Sequence, residues 1–366
     1  MAGRLTKRAD KRFVVTATFE GKRYFFYGKT QAEARSKADQ ARARARAGAP
    51  VRDDTRSLGD WLAEWIDTYL ALSDRAESTK IMHAGYVRTW IVPIIGTVPL
   101  GKLTVNDVNR MLLAMKAAGK AESTRRNAYT TLRKSLDDAV VNGLIATNPA
   151  HRIRQPGVTR REARYLTPLE VTALLSAAAT HRYGIVLRFI LGTGVRRGEA
   201  LALRWNDIHL ANGHAALRGS LTRRESGLVV SGVKTKASRR TVALSPTMID
   251  LLRRHKAAQA AERLHAGHLW EASNLVFTTA SGAPVEPQNV LRTVREAAKK
   301  AGLQRVTVHS LRHTYATAAL LNGVALKVVS ANLGHASIQI TADTYGHVTD
   351  DAARAAAVKV ADALGL

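Results

Sequence analysis

The chain has 366 residues, 46% of them apolar, which is enough for two or three folded domains and excludes a disordered tail. Its formal net charge is +27 and its sequence pI is close to 10.9, so nucleic acid is the partner class that the composition favours most. The absence of cysteine excludes disulfides and thiolate metal sites and fits a reducing cytoplasm. The N-terminal sequence lacks the apolar stretch of a signal peptide, and no run of about eighteen apolar residues indicates a membrane span.

Residues 1 to 50 predict a small basic domain, in which thirteen lysines and arginines stand against four acidic residues. Its predicted elements are two alternating strands and an alanine-rich helix, at residues 12–20, 23–28 and 30–48. We expect Lys22 and Arg23 in this domain to contact DNA. The alternative is a basic appendage without sequence preference, because so small a sheet is marginally stable alone.

Residues 55 to 150 predict an all-helical domain. Apolar side chains recur at helical spacing from residue 58 to 69 and again from 105 to 115, and a third helix follows. The domain is basic, and we expect Arg125 and Arg126 on its third helix to contact DNA.

Residues 151 to 164 are rich in arginine and include a proline and a glycine, a composition typical of an exposed basic linker. Because the linker joins two domains that would both contact DNA, we expect phosphate contacts from Arg152, Arg154, Arg160 and Arg161. A loop that is only solvated is the alternative.

Residues 165 to 366 predict a mixed α/β domain that is mainly α. Thr167 and Glu170 form a capping box around Pro168, a strong signal for the start of a helix. The strands are predicted near residues 213–219, 227–233 and 239–245, and the later helices at 246–264, at 290–302 and through the C-terminal segment. We expect the last two strands to be joined by a polar turn as a hairpin.

Six side chains suited to phosphoryl transfer follow one another in this domain: Arg196, Lys234, His309, Arg312, His335 and Tyr345. Planar guanidinium groups grip two nonbridging phosphate oxygens at once, and a lysine protonates a departing oxygen. A tyrosine oxygen attacks phosphorus when neighbouring cations stabilise its developing charge.

Two other chemistries fit these residues poorly. Gly192 and Gly194 suggest a nucleotide phosphate loop, but the Gly-Lys-Ser/Thr signature does not follow them. His309 and His313 have the spacing of zinc ligands, but the glutamate of an HExxH motif is absent. We therefore expect no metal site.

Three stretches resemble the motifs of the tyrosine recombinase (phage integrase) family: TGVRRGE at 193–199, HSLRHT at 309–314 and LGHASIQITADTYGH at 333–347. The resemblance extends from about residue 55 to the C-terminus. It implies that Tyr345 is the nucleophile and that the phosphate is held by Arg196, Arg312, His309 and His335.

The resemblance also implies supporting roles. Lys234 is similar to the lysine that protonates the departing 5′ oxygen, although Lys236 remains an alternative. Glu199, three residues after Arg196, would orient that arginine, and His313 would support the site.

By the same resemblance, residues 1–50 are an arm-type DNA-binding domain, 55–150 a core-binding domain and 165–366 the catalytic domain. The C-terminal helix would be exchanged with a neighbouring subunit, with packing on its own domain as the alternative.

The implied function is that of a site-specific integrase. Tyr345 would form a 3′-phosphotyrosyl link and release a 5′ hydroxyl, a step that retains the bond energy and needs no ATP, metal or other cofactor. The implied partners are double-stranded attachment-site DNA, a homotetramer on that DNA, a host DNA-bending protein and an excisionase, in the bacterial cytoplasm at the nucleoid. The alternatives are DNA relaxation like that of a type IB topoisomerase and a non-catalytic DNA-binding regulator.

Overall fold

The computed structural model describes residues 5–7, 13–19, 21–46, 56–159, 164–224, 227–232 and 239–345, together with residues 357, 361, 364 and 365. The chain divides into two compact units, Met1–Arg160 and Arg161–Leu366, and the division lies inside the predicted basic linker. The predicted majority of helix with small sheets is confirmed. In the part of the chain that the structure describes, no helix is both long and apolar enough to cross a membrane.

The first unit begins with a three-stranded antiparallel sheet of order β1-β2-β3, formed by β1 (Leu5–Lys7), β2 (Phe13–Phe19) and β3 (Lys22–Gly28). Helix α1 (Gln31–Arg46) covers one face of this sheet. Its buried alanines Ala34, Ala38 and Ala41 pack against Val15 and Phe26. Small side chains at this helix face let the helix backbone approach the sheet closely, so the sheet keeps a core although it is small.

The remainder of the first unit is helical. Its helices are α2 (Leu58–Trp65), α3 (Glu77–Tyr86), α4 (Val92–Ile95), α5 (Val105–Ala117) and α6 (Glu122–Val141), with π-helical turns at Ile66–Leu70 and Val87–Ile91 and 3-10 turns at Leu100–Lys102 and Pro149–Arg152. Capping boxes at Ser57 and Thr104 begin α2 and α5. Trp61 is fully buried between these helices, and its indole Nε1 donates to the carbonyl oxygen of Ser135 at 3.1 Å.

The second unit is a mixed α/β domain. Its elements are α7 (Pro168–Ala177), α8 (Gly184–Thr193), α9 (Arg197–Leu201), β4 (Ile208–His209), β5 (His214–Leu217), β6 (Gly219–Arg224), β7 (Gly227–Gly232), β8 (Arg240–Ala243), α10 (Pro246–Ala266), α11 (Pro287–Lys300), α12 (Val308–Leu321) and α13 (Leu326–Leu333), with 3-10 turns at Trp205–Asp207 and Gly267–Leu269. Residues 338 to 345 are helical as well. One large apolar cluster, which includes Phe189, Val242 and Phe277, joins helices α8 to α12 with the sheet residues.

The expected hairpin between the last two strands is wrong. Strand β7 pairs with β6, whereas β8 pairs with β5 in a separate sheet of order β4-β5-β8. Only two residues separate β6 from β7, so these strands pair locally. Strand β8 instead places Val242 opposite Ala215, and both are buried in the main core. The segment that contains Lys234 therefore connects two sheets.

Trp61→Ala should lower the free energy of unfolding by about 3–5 kcal/mol, because it leaves a large cavity in the core of the helices. Urea denaturation followed by circular dichroism measures the change in the first unit. Leu113→Ala is the control. Leu113 on α5 is 65% exposed, so its substitution should change the free energy of unfolding little. Equal effects of the two substitutions would contradict the packing described.

Candidate active site

Arg196 stands immediately before α9, at the helix N-terminus. The chain turns there because Gly194, which ends α8, has a left-handed conformation with φ of 68°. A β-carbon at Gly194 would lie 2.3 Å from the ring of Tyr315, so only glycine fits this turn. The Arg196 side chain is 43% exposed, and its Nη1 donates to Oε1 of Glu199 at 3.0 Å. It is thus oriented yet open to a ligand.

Arg312 projects from α12 into the interior and is only 2% exposed. Its Nη1 donates to the carbonyl of Gly194 at 2.8 Å and its Nη2 to the carbonyl of Leu333 at 2.7 Å. Burial and the neighbouring charge of Arg196 lower the pKa of Arg312 to about 9, so the group remains a cation at neutral pH.

Glu199 is buried and binds two arginines. Arg240, the first residue of β8, donates from Nη1 and Nη2 to the two carboxylate oxygens at 3.1 and 2.8 Å. Burial tends to raise the pKa of Glu199, but hydrogen bonds and charge from Arg240 and Arg196 outweigh it, and the pKa lies below its usual value. The prediction that Glu199 lies beside Arg196 agrees with this geometry, although Glu199 accepts two side-chain hydrogen bonds from Arg240 and one from Arg196.

Sequence analysis missed Arg240. A pair of adjacent arginines in a basic segment resembles a solvated surface, and nothing local distinguishes the second from the first. The available signal was strand periodicity: Arg240 shares one strand face with Val242 and Leu244, both of which are buried. A charged residue on an inward face needs a buried partner.

His309 and His313 lie one turn apart on α12, with ring centroids 4.4 Å apart. Burial first, then the charges of Arg312 and Arg196, lower the pKa of His309. Burial and the neighbouring His309 and Arg312 lower the pKa of His313 to about 4. Nδ1 of His313 lies 2.7 Å from the hydroxyl of Tyr345. Of the two imidazoles, His313 rather than His309 contacts the tyrosine.

His335 follows Gly334, which ends α13 in a left-handed conformation with φ of 64°. His335 therefore lies just outside the helix. Its Nδ1 forms a 2.7 Å hydrogen bond with Oγ1 of Thr341. Burial and the charges of Arg312 and Arg196 lower the pKa of His335 to about 4, so the ring is neutral at neutral pH.

Tyr345 lies in the same site but is 2% exposed. Its ring packs in a small apolar cluster with Ala316, Leu320, Val329 and Leu333. Burial raises its pKa to about 12, although the charge of Arg312 partly opposes this rise. The free protein therefore holds the predicted nucleophile as a neutral phenol.

The structure describes only some of the predicted lysines and DNA-contacting arginines. Lys234 and Lys236, as well as Arg160 and Arg161 of the linker, lie outside the described residues. The predicted DNA contacts that the structure does place are Lys22 and Arg23 in β3, Arg125 and Arg126 near the start of α6, and the exposed Arg152 and Arg154. Over the described ranges, no group of three or more histidine and carboxylate side chains is arranged to hold a metal ion.

Known proteins resemble this chain along most of its length. A tyrosine recombinase XerC-like protein of Caldanaerobacter subterraneus subsp. tengcongensis is 29% identical over 343 residues, 88% of this chain and 87% of the relative. An integrase of Streptomyces ambofaciens is 28% identical over 87% of this chain and 83% of its own length. The integrase of Mycobacterium phage L5 is 28% identical over 75% of this chain and 72% of its own length.

Two solved structures show the same fold. The Tn1549 transposon integrase in complex with transposon right end DNA matches with a TM-score of 0.68 and 21% identity, covering 83% of this chain and 99% of that one. A lambda integrase tetramer bound to a Holliday junction matches with a TM-score of 0.62 and 20% identity, covering 93% and 94%.

The sequence profile of the phage integrase family matches residues 164–352, just over half of the chain. This range contains every residue of the site described above. The chain therefore belongs to the phage integrase family and is a tyrosine recombinase.

Proposed function

We propose that this protein integrates a phage or other mobile element by cutting and rejoining DNA at attachment sites, with Tyr345 as the nucleophile. The observation that carries the proposal is the convergence of two guanidinium groups, Arg196 and Arg312, with the imidazoles of His309 and His335 near Tyr345. Such a set supplies the positive charge and hydrogen bonds that a phosphodiester needs during in-line attack.

The phosphate would be held mainly by the arginines. Each guanidinium has five N–H donors, and the backbone and Glu199 engage only two side-chain donors of Arg196 and two of Arg312 in the described contacts. The remaining donors can bind nonbridging oxygens. His309 and His335, with lowered pKa values, donate one N–H each as neutral rings.

In the proposed step, the Tyr345 oxygen forms a bond to phosphorus while the bond from phosphorus to the 5′ oxygen breaks. The phenol proton goes to an imidazole, and Nδ1 of His313 lies 2.7 Å from the Tyr345 hydroxyl. Lys234 protonates the departing oxygen. Because Tyr345 begins as a buried phenol with a pKa of about 12, binding of DNA must move it or bring cations closer to its oxygen.

The N-terminal sheet supports arm-site binding. Helix α1 covers one face, whereas Arg23, Phe25 and Tyr27 alternate onto the other, where the two aromatic rings are 44% and 37% exposed. Cationic and aromatic side chains on an uncovered sheet are suited to the major groove. We accordingly assign residues 1–50 to arm sites, 55–150 to core sites, 151–164 to a linker and 165–366 to catalysis.

The proposed assembly is a homotetramer on double-stranded DNA, with exchanged C-terminal helices, acting in the bacterial cytoplasm. A host bending protein and an excisionase are proposed accessory partners, and no ATP or metal enters the chemistry. DNA relaxation by a single subunit uses the same residues but does not account for a separate basic sheet domain. A non-catalytic regulator does not account for the ordered cations around Tyr345.

Tyr345→Phe should abolish the covalent protein–DNA adduct on a nicked suicide substrate while specific DNA binding survives, because only the attacking oxygen is lost. Gel analysis of the adduct and a mobility-shift assay measure the two properties. Tyr183→Phe is the matched control and should still form the adduct. An adduct with the Tyr345 variant would show that the nucleophile is a different residue.

Lys234→Ala should slow single-turnover cleavage by at least about 100-fold, since the 5′ alkoxide then leaves unprotonated. A substrate with sulfur at the bridging 5′ position should restore the rate, because a thiolate leaves without a proton. The cleavage rate of the Lys236→Ala variant should not increase on the sulfur substrate. Rescue of both variants, or of neither, would overturn the assignment of Lys234.

Arg23→Ala should weaken binding to arm-site DNA and make its salt dependence shallower by about one phosphate contact. Arg35→Ala is the matched control: it removes the same charge from an exposed position on α1. Fluorescence anisotropy over a range of salt concentrations compares the two. Equal losses would indicate a basic appendage instead of a binding face, and cleavage at core sites should be unchanged in both variants.

A further inference from the structure

Three arginines converge on the C-terminal end of α13. The carbonyl oxygens of residues 332, 333 and 334 accept hydrogen bonds from Arg240 at 2.6 Å, Arg312 at 2.7 Å and Arg196 at 3.1 Å, respectively. The last carbonyls of a helix lack partners within the helix and carry partial negative charge. This helix end is therefore a natural anchor for cations.

Arg240 is the member of this trio without a place in the proposed chemistry. Its side chain is only 7% exposed, and its Nε, Nη1 and Nη2 all donate to protein acceptors, so its guanidinium is directed at the protein. It contacts Glu199 through both Nη atoms and the carbonyl of Asn332 through Nε.

The two groups that Arg240 contacts, Glu199 and the end of α13, both contact Arg196 as well. Glu199 accepts hydrogen bonds from the backbone N–H of Arg196 at 2.8 Å and from its Nη1 at 3.0 Å. The end of α13 accepts from Nη2 of the same arginine through Gly334. Arg240, Glu199, Arg196 and the end of α13 thus form a closed ring of contacts.

Gly334 shows how tightly Arg240 fits. A β-carbon at Gly334 would lie 2.6 Å from Nη1 of Arg240, and the backbone there has a positive φ. The same turn that makes room for Arg240 also directs the chain from α13 to His335.

We propose that Arg240 is a positioning residue for strand cleavage: it fixes Glu199 and the end of α13 so that Arg196 is aligned to grip the scissile phosphate. This inference rests on the proposed function. Arg240 acts through Arg196, and it connects strand β8, which follows the Lys234 segment, to the phosphate site.

The test is a double-mutant cycle on single-turnover adduct formation with a suicide substrate at saturating DNA. Arg240→Met should slow adduct formation by about 100-fold, the scale for a misplaced reacting group, with DNA affinity little changed. In an Arg196→Ala background the same substitution should lower the rate of adduct formation by less than about threefold, because the side chain that Arg240 positions is already absent. Arg240→Lys, which cannot reach both Glu199 oxygens and the Asn332 carbonyl, should restore only part of the rate.

Arg253→Met is the matched control, since Arg253 forms an exposed ion pair with Asp250 on α10 and should leave the rate unchanged. Thermal unfolding identifies variants that fail to fold. If Arg240→Met does not fold, the cycle is run with Arg240→Lys. A normal rate for the Arg240 variant would overturn the proposal. So would a double variant whose rate falls by the product of the two single effects, because the two residues would then act independently. Absence of any adduct with the unaltered protein would instead refute the proposed function.

Discussion

The site depends on how three like charges are held side by side. Arg196, Arg240 and Arg312 repel one another, and two of them are largely buried. Their charge is offset by the buried carboxylate of Glu199 and by three successive carbonyls at the end of α13. Removing one member of such a network leaves buried charge unpaired, which costs several kcal/mol, of order 3–5. The network accordingly ties α9, β8, α12 and α13 into one arrangement.

Two glycines make this arrangement sterically possible. Gly194 turns the chain between α8 and α9 and offers its carbonyl to Arg312, while Gly334 ends α13 and leaves room for Arg240. Both have positive φ, which other residues adopt at a cost. The backbone turns that place Arg196 and His335 are therefore the same turns that let the buried arginines approach.

The proposed nucleophile, Tyr345, is held by a different kind of interaction. Tyr345 is buried among aliphatic side chains and bonded to the neutral imidazole of His313, and its pKa is raised to about 12. A phenol in this state reacts poorly, whereas the cations beside it are ready to bind a phosphate. In the free protein, the cations are thus arranged to bind a phosphate, whereas Tyr345 is still held as a neutral phenol.

The sequence by itself determined what depends on local chemistry. A capping box predicted the start of α7, apolar periodicity predicted helices where α2 and α5 lie, and the motif spacing predicted Arg196, His309, Arg312, His335 and Tyr345 as one site. Only the tertiary structure decided which strands pair and which charges meet. Strand β8 pairs with β5 instead of β7, and Arg240 meets Glu199 from 41 positions away. Neither follows from local pattern, because both are set by what the core buries and by where a buried charge finds its partner.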